Sequence, residues 1–340
     1  MIRLGLSSDC RRLSFDQMPT QLQDSFAAAR CLVTGGAGFI GSNLSRTLLE
    51  CGADVVVLDD FSTGRRDHLP EHPRLRVVEN DLSRCPNLED FTNGVDYVFH
   101  MAAQVGNVKS IEAPVRDAET NVVGTVRLID ACRRAPIKRF VYSSSSAIFG
   151  EADRLPIEED HPVNPLSFYA LSKLTAEKYV RLAATLLSMP TVSLRYFNVY
   201  GTPMEDNEYT GVISIFLRRL EQGQPLVIYG DGAQVRDFVY VDDIVQANLR
   251  AACNGRAGSV YNIGTGRSTS IEELAELLMD LTSTRVPVHH AEFRAGEVCR
   301  STADISRAKS ELGFSPVHSL REGLSRVLLC GNSVSARSGH

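Results

Sequence analysis

A phenol and an ammonium group lie four residues apart in the chain, at Tyr169 and Lys173. In a helix, residues i and i+4 lie one above the other on the same face, so these side chains would be neighbours. A lysine beside a tyrosine stabilises the phenolate, which can then act as a general base. Lowering a phenol pKa from about 10 to about 7 takes on the order of 4 kcal/mol. Because this spacing is common on helix surfaces, a third group is needed to indicate a site.

A run of four serines, Ser143 to Ser146, supplies that third group. The run ends a short apolar stretch that begins at Arg139 and predicts a strand. Ligands of open α/β sheets bind outside the carboxyl ends of the strands. We therefore expect a serine hydroxyl, the phenol and the ammonium to converge on one ligand.

A glycine-rich turn joins the first predicted strand to an amphipathic helix. The segment TGGAGFIG contains G-x-x-G-x-x-G, formed by Gly35, Gly38 and Gly41, and also G-x-G-x-x-G, which starts at Gly36. Glycines at this place allow a tight turn and close backbone approach, and the helix N-terminus then faces a pyrophosphate. The turn predicts a dinucleotide site.

An aspartate, Asp59, ends the second predicted strand about 20 residues beyond the glycines. A carboxylate there accepts hydrogen bonds from both ribose hydroxyls and repels a 2′-phosphate, which favours NAD over NADP. Arg65 and Arg66 follow soon after, and we interpret them as solvated loop charges.

The elements that position these residues alternate between short β-branched runs and helical patterns. The predicted strands are 31–34, 55–58, 75–78, 95–100, 139–143 and 192–196, and long helices are predicted at 114–134 and 167–187. This alternation is typical of a parallel sheet covered on both faces. The predicted fold class is α/β, a Rossmann-type doubly wound parallel sheet with a smaller C-terminal α/β substrate lobe.

The domain boundaries follow from a change of pattern after residue 201, where loops, a helix near 211–222 and a strand at 226–229 predict a second lobe. Stretches 239–253 and 260–263 look like a return to the main sheet. The predicted parts are an N-terminal extension at 1–28, the dinucleotide-binding domain at 29–200 with 239–264 returning to it, a substrate lobe formed by 201–238 and 265–330, and a flexible tail at 331–340.

Composition excludes several classes of protein. The 340 residues carry 36 Lys and Arg against 41 Asp and Glu, a net charge of −5, so no basic field for nucleic acid is present. No uncharged apolar run reaches the roughly 18 residues of a membrane span, and charges at Asp9 and Arg11 interrupt what would be a secretory signal. A cytoplasmic protein is the default expectation. The eight cysteines show no C-x-x-C pair, which predicts reduced thiols and no metal site.

Taken together, the motifs resemble the extended short-chain dehydrogenase/reductases of the sugar-nucleotide epimerase/dehydratase family, over roughly residues 30–328. The matching segments are TGGAGFIGS, LDDFSTG, HMAAQ, NVVGT, YSSSSAIFG, YALSK, RYFNVYG and VRDFVYVDD. The resemblance implies NAD as cofactor and a catalytic set of Ser145, Tyr169 and Lys173. It also implies cofactor contacts at Gly35, Gly38, Phe39, Ile40, Gly41, Asp59, Asp60, Asp81, Leu82, Ala102, Ala103, Asn121, Tyr169 and Lys173.

In that family Tyr169 would take the proton from the sugar 4-hydroxyl while C4 gives its hydride to NAD, and Ser145 would hydrogen-bond the same oxygen. Dehydratases of the family carry Asp-Glu directly after the catalytic hydroxyl, and decarboxylases carry Glu two positions on. Here those positions hold Ser146 and Ala147. Without a carboxylate there, the expected fate of the ketone is rotation and reduction on its other face, which is 4-epimerisation.

The sequence is most similar in pattern to UDP-hexose 4-epimerases. In these enzymes an Asn, an aromatic residue and two arginines hold the UDP, and they match Asn198, Tyr229, Arg236 and Arg294. Enzymes restricted to glucose and galactose carry a Tyr where this chain has Ser301. The resemblance therefore implies a UDP-sugar substrate, UDP-N-acetylglucosamine and UDP-N-acetylgalactosamine as well as, or instead of, UDP-glucose and UDP-galactose.

Alternatives stay open at this point. A UDP-glucuronate 4-epimerase or a sugar-nucleotide dehydratase would share the fold, and a non-catalytic NAD-binding sensor or scaffold would share the cofactor site. Relatives pair their two long helices, here 114–134 and 167–187, into an intersubunit four-helix bundle. The resemblance thus implies a homodimer.

Overall fold

Short runs of β-branched and apolar residues form the strands of the computed structural model, which describes residues 18–203, 211–293 and 298–335. The strands within those residues are β1 Arg30–Thr34, β2 Asp54–Asp59, β3 Leu75–Glu79, β4 Tyr97–His100, β5 Arg139–Ser145, β6 Thr191–Tyr196, β7 Asn198–Tyr200, β8 Leu226–Tyr229, β9 Val235–Arg236, β10 Phe238–Tyr240, β11 Ser259–Ile263, β12 Thr269–Ser270, β13 Val288–Ala291 and β14 Arg300–Ser301.

The helices lie between these strands, as their apolar spacing predicts. They are α1 Thr20–Asp24, α2 Phe39–Glu50, α3 Glu89–Thr92, α4 Asn107–Glu112, α5 Pro114–Ala118, α6 Gly124–Cys132, α7 Phe168–Leu186, α8 Val212–Glu221, α9 Val241–Asn254, α10 Ile271–Thr282 and α11 Leu320–Ser335. Single turns of 3-10 helix occur at Arg66–His68 and Ser146–Phe149, and π turns occur at Glu119–Val123 and Ala308–Leu312.

The central sheet has seven parallel strands in the order β11-β6-β5-β4-β1-β2-β3. The chain order reverses between β1 and β4, and ligands of such sheets bind at this reversal, outside the carboxyl ends of the strands. Thr34, Asp59, His100 and Ser145 are the last residues of β1, β2, β4 and β5, and they lie at this edge. The predicted Rossmann-type doubly wound fold is confirmed.

Helices cover both faces of this sheet, so its central strands are buried. Every residue of β4 and β6 is buried. Leu44 and Leu48 of α2 pack on one face, and Leu128 of α6 and Val180 of α7 pack on the other. The helices thereby hold the carboxyl edge of the sheet in place.

A smaller lobe has its own apolar core, which α8, β8 and α10 share. Its strands form a three-stranded sheet in the order β12-β9-β14 and a parallel pair of β13 with β8. The stretch 239–253 returns to the main sheet as a covering helix and not as a strand, since Ile244 and Leu249 of α9 lie in one buried cluster with Leu194 of β6. Strand β10 pairs with β7 in a separate two-stranded sheet, and α9 follows it. Only β11 joins the main sheet, because the apolar residues of 241–254 recur at helical rather than strand spacing.

The described part of the N-terminal extension, residues 18–28, forms no strand but packs against the core. Met18, Leu22 and Phe26 are buried, and the Phe26 ring centroid lies 5.0 Å from that of Tyr97. The division into domains stays a prediction.

The helices within the described ranges include none that is both long and apolar enough to cross a membrane. Seven cysteines lie in these ranges, all as free thiols, and no group of His, Cys, Asp or Glu there could hold a metal ion.

Candidate active site

The glycine turn between β1 and α2 packs so closely against neighbouring backbone that residues with a side chain would not fit there. Gly35 has φ +66°, and a Cβ added there would lie 2.6 Å from the backbone of Ala102. A Cβ on Gly41 would lie 2.1 Å from the carbonyl oxygen of Gly35. Gly38 caps α2 without a side-chain hydrogen bond, so the first turn of the helix presents its N–H groups outward. Such a helix start is suited to bind a diphosphate.

Asp59 is held beside this turn by two backbone amides. Its Oδ2 accepts a hydrogen bond from the N–H of Ala37 at 2.8 Å, and its Oδ1 accepts from Phe61 at 2.9 Å. Burial raises the pKa of Asp59, and these two hydrogen bonds lower it. Arg65 and Arg66 are mostly exposed and pair with Asp67 and Glu79, as expected of solvated loop charges.

An arginine that the sequence analysis missed lies between two of the predicted cofactor residues. Arg116 donates through Nη2 to Asp60 at 2.8 Å and through Nη1 to Asp81 at 2.7 Å. The hydrogen bond from Arg116 helps to lower the pKa of Asp81, although burial acts in the opposite direction. Because 56 and 35 residues separate Arg116 from its partners, no local spacing indicates this contact.

The apolar residues predicted to contact the cofactor fall into two groups. Leu82 is buried after β3, and Ala102 and Ala103 follow β4 opposite the glycine turn. Phe39 and Ile40 begin α2 and pack against the core of the smaller lobe. The structure places all five around the carboxyl edge of the sheet.

Asn121 lies in the π turn between α5 and α6 and links three segments. Its Oδ1 accepts from the N–H of Gln104 at 2.8 Å, and its Nδ2 donates to Gln104 O, Asp117 Oδ1 and Ser172 Oγ at 3.0–3.1 Å. The side-chain Nε2 of Gln104 is buried and has no hydrogen-bond partner among the described residues. Gln104 is a second residue that sequence reasoning missed, and its unpaired donor lies close in the chain to Ala102 and Ala103.

The three predicted catalytic residues come together at the end of β5 and the start of α7. Ser145 ends β5, and its Oγ accepts a hydrogen bond from Ala147 N at 3.2 Å. Burial raises the pKa of Tyr169, and a hydrogen bond with Ser145 lowers it. Lys173 is 2% exposed, and its Nζ lies 4.5 Å from the ring centroid of Tyr142. Burial lowers the pKa of Lys173 to about 7, against the effect of Asp117 and Glu177, which raise it.

A buried ion pair fixes α7 against β5 and β6 behind these residues. Arg195 donates to both carboxylate oxygens of Glu177, at 2.9 and 2.7 Å, and Ser144 donates to Oε2 at 2.6 Å. A bidentate pair of this kind restricts rotation as well as translation of the helix. It therefore fixes the height of Tyr169 and Lys173 above the sheet.

The predicted substrate residues lie in or beside the smaller lobe. Asn198 begins β7 and Tyr229 ends β8, while Arg236 in β9 and Ser301 in β14 are direct neighbours in the three-stranded sheet. Arg294, the fifth of them, lies outside the described residues.

A cavity of about 410 Å³ opens in the same lobe, lined by Asp231, Ala233, Gln234, Phe293, Cys299 and Arg300. These residues are chain neighbours of Tyr229, Arg236 and Ser301, which themselves do not line it.

The strand that carries Ser301 is joined to the loop that follows Ser145. Ile157 N donates to Thr302 O at 2.8 Å, and Asp304 N donates to Ile157 O at 2.8 Å. This short parallel bridge ties the lobe to the catalytic end of the sheet.

A family model described as the NAD dependent epimerase/dehydratase family matches residues 31–264. The chain belongs to this family. The resemblance and the cofactor predicted from the sequence are confirmed, and the protein is an NAD-dependent enzyme.

Several relatives of this epimerase/dehydratase cover most of its length. A putative UDP-glucose 4-epimerase of Methanocaldococcus jannaschii is 41% identical over 300 residues, which span 87% of this chain and 96% of that protein. A UDP-N-acetylglucosamine 4-epimerase from Methanobrevibacter ruminantium M1, solved with UDP-N-acetylmuramic acid, superposes with TM-score 0.87 at 33% identity over 90% of this chain and 99% of that one. A UDP-glucose 4-epimerase of Thermus thermophilus, solved with NAD, gives TM-score 0.82 at 33% identity over 89% and 99%.

The described residues of this epimerase/dehydratase fit NAD. The uncapped start of α2 suits the diphosphate, Asp59 suits a ribose, and the unpaired Nε2 of Gln104 offers one more donor at the same edge. The individual contacts are predictions from the family pattern, and the structure brings the described ones to one edge of the sheet.

Proposed function

We propose that the protein is a 4-epimerase of UDP-hexoses that interconverts UDP-N-acetylglucosamine and UDP-N-acetylgalactosamine. The observation that carries the proposal is the pair of residues after Ser145. Ser146 and Ala147 stand where dehydratases and decarboxylases of the family carry carboxylates, and both lie half-buried in the turn that follows β5. With no acid or base there, proton removal at C5 and loss of carbon dioxide have no group to promote them.

The catalytic residues would act on the sugar 4-hydroxyl. When NAD is bound, it would supply the redox chemistry at C4, which loses a hydride and later regains it. Tyr169 takes the hydroxyl proton as base, Ser145 donates a hydrogen bond to the same oxygen, and the charge on Lys173 stabilises the phenolate. The ketosugar then rotates within the site and is reduced on its other face. Tyr169 returns the proton to the 4-oxygen, which now has the opposite configuration.

The nucleotide would be held in the smaller lobe. Arg236 presents a planar guanidinium suited to a diphosphate, and Asn198 and Tyr229 lie at strand ends of the same lobe. Arg294 is proposed as the second arginine on the family pattern. The UDP-sugar 4-epimerases among the structural neighbours support a UDP-sugar as the ligand.

The choice of an N-acetylated sugar rests on Ser301. Its side chain is small and 8% exposed, and it neighbours Arg236 across the β9–β14 pair. A small residue beside the diphosphate site leaves space for an acetamido group, where a tyrosine would clash.

We also propose a homodimer. The exposed face of α7 carries Phe168, Leu171, Leu182 and Leu186, and α4 adds Ile111, each at least 49% exposed. A group of apolar side chains this exposed on neighbouring helices is typical of a protein interface. They fit the intersubunit helix bundle that the family resemblance implies.

The test is incubation of the purified protein with UDP-N-acetylglucosamine and with UDP-glucose, without added cofactor, followed by separation of the products. We expect UDP-N-acetylgalactosamine to form and NAD to be released when the protein is denatured. Tyr169→Phe should lower kcat about 100-fold while substrate binding persists. The matched control is Tyr179→Phe, the same change at an exposed position of the same helix.

Any other result of this incubation would identify a different activity, or no catalytic activity. A dehydrated product would identify a dehydratase, conversion of UDP-glucuronate alone would identify a glucuronate epimerase, and bound NAD without any conversion would identify a sensor or scaffold. Sedimentation of the same samples gives the mass of the assembly.

A further inference from the structure

A buried carboxylate behind the catalytic pair has no part in the mechanism given above. Asp117 is 1% exposed and lies near the end of α5, one turn before Asn121. The helix changes to a π turn directly after it. Such turns are rare in helices and frequent at functional sites.

The hydrogen-bond partners of Asp117 are neutral. Its Oδ1 accepts from Asn121 Nδ2 at 3.0 Å, and Ser172 hydrogen-bonds the carboxyl group as well. Within the described ranges, no lysine, arginine or histidine forms an ion pair with it. Burial raises the pKa of Asp117, while the Ser172 hydrogen bond and the charge of Lys173 lower it. A buried carboxylate without a nearby countercharge is costly, so its ionised form needs a cation at short range.

The other carboxylate that acts on Lys173 is already neutralised. Both oxygens of Glu177 accept from Arg195, and Ser144 adds a third hydrogen bond. Asp117 is therefore the group whose negative charge is left to balance the ammonium of Lys173.

The remaining groups around Lys173 supply no full negative charge at neutral pH. The ring of Tyr142 faces Nζ, and burial keeps the pKa of its phenol well above the usual value. Burial lowers the pKa of His100 to about 3, so this ring is neutral. Tyr169 itself carries charge only in its active, deprotonated form.

We propose that Asp117 is a positioning residue whose carboxylate keeps Lys173 protonated and so sets the pH range over which Tyr169 works as a base. The inference rests on the proposed function, because it deepens the role of the same catalytic pair. Asn121 and Ser172 hold the carboxylate in place through their hydrogen bonds.

The sign of the effect follows from charge alone. Removing a negative charge lowers the proton affinity of every nearby group, so both Lys173 and Tyr169 should release their protons at lower pH. Both limbs of the pH profile should therefore move downward, whichever of the two groups sets each limb.

The experiment compares Asp117→Asn, which keeps the shape and removes the charge, with Glu119→Gln as the matched control two residues on, where the carboxylate is more exposed and pairs with Arg84. Two quantities are measured in the NAD-loaded protein. One is the pH profile of kcat with UDP-N-acetylglucosamine. The other is the ultraviolet titration of the tyrosinate of Tyr169, obtained as the difference from Tyr169→Phe in each background.

We expect Asp117→Asn to lower both limbs and the tyrosinate pKa by about 1 unit or more, and Glu119→Gln to leave them in place. A loss of activity with unchanged limbs and unchanged tyrosinate pKa would overturn the proposal and leave Asp117 with a packing role. If the protein epimerises no sugar, the proposed function fails, but the tyrosinate titration still decides the role of Asp117. If Asp117→Asn does not fold, Asp117→Ser carries the same prediction, because it also removes the charge and keeps a hydrogen-bonding group.

Discussion

Ser301 lies next to Arg236 in the three-stranded sheet, and the proposed function places its small side chain beside the substrate diphosphate. We expect Ser301→Tyr to lose activity on UDP-N-acetylglucosamine while keeping activity on UDP-galactose. The added ring would occupy the acetamido space, and a clash in a pocket that cannot relax costs about 1–3 kcal/mol, which is about 5- to 150-fold in rate.

The measurement is kcat/KM for both substrate pairs. Ser301→Ala is the control, because it changes the chemistry of the position and leaves the space open. If Ser301→Tyr lowers kcat/KM equally for both substrate pairs, the tyrosine disrupts the fold and does not select between the sugars.

At the scale of single residues, the sequence indicated the groups that follow a local rule. Tyr169 and Lys173 share a helix face by their spacing, and Asp59 ends a strand. Arg116 and Asp117 follow no such rule, because their surroundings come from distant segments that meet only in the folded sheet.

At the scale of elements, the start of the α5–α6 segment carries the arginine that bridges the acidic loops after β2 and β3. We expect Arg116→Ala to weaken NAD binding about tenfold, since Asp60 and Asp81 lose charge-assisted hydrogen bonds worth about 1.5 kcal/mol and repel each other. The dissociation constant of NAD, measured by calorimetry on protein freed of cofactor, tests this.

The control for Arg116→Ala is Arg84→Ala. Arg84 also pairs with an acidic residue, Glu119, but its side chain is 70% exposed and the contact is longer, at 3.3 Å. Equal affinities for NAD in Arg116→Ala and the unaltered protein would mean that the two aspartates hold their places without the arginine.

Strands and long helices were predictable because their periodicity is local. The strand at 75–78 and the helix at 167–187 agree with Leu75–Glu79 and Phe168–Leu186 to within a residue at either end. The helix predicted at 114–134 is interrupted by a π turn that apolar spacing does not reveal, because the turn changes hydrogen bonding rather than the buried face.

At the scale of the whole molecule, the segment before β1 contributes to the core. We expect Phe26→Ala to reduce the free energy of unfolding by about 3–5 kcal/mol, because a fully buried ring that packs on Tyr97 and Phe99 is removed. Urea denaturation measures the change. Val317→Ala is the control, since Val317 is 51% exposed and its loss should cost little.

An unchanged midpoint for Phe26→Ala would show that the segment before β1 contributes nothing to stability. The family pattern begins near residue 30, so the sequence predicts residues 1–28 only as an extension. Met18, Leu22 and Phe26 are spaced four residues apart, which is helical periodicity, but a segment this short carries only three such positions and their burial was not predicted.

The bridge between Ile157 and Ala303 bears on how such proteins can be recombined. The loop after Ser145 and the strand of Ser301 are hydrogen-bonded through their backbones, so neither is free to take a new partner. A chimera that exchanges the smaller lobe between two relatives must therefore exchange 150–162 along with it. The smaller lobe and the loop beside Ser145 therefore form one unit of exchange.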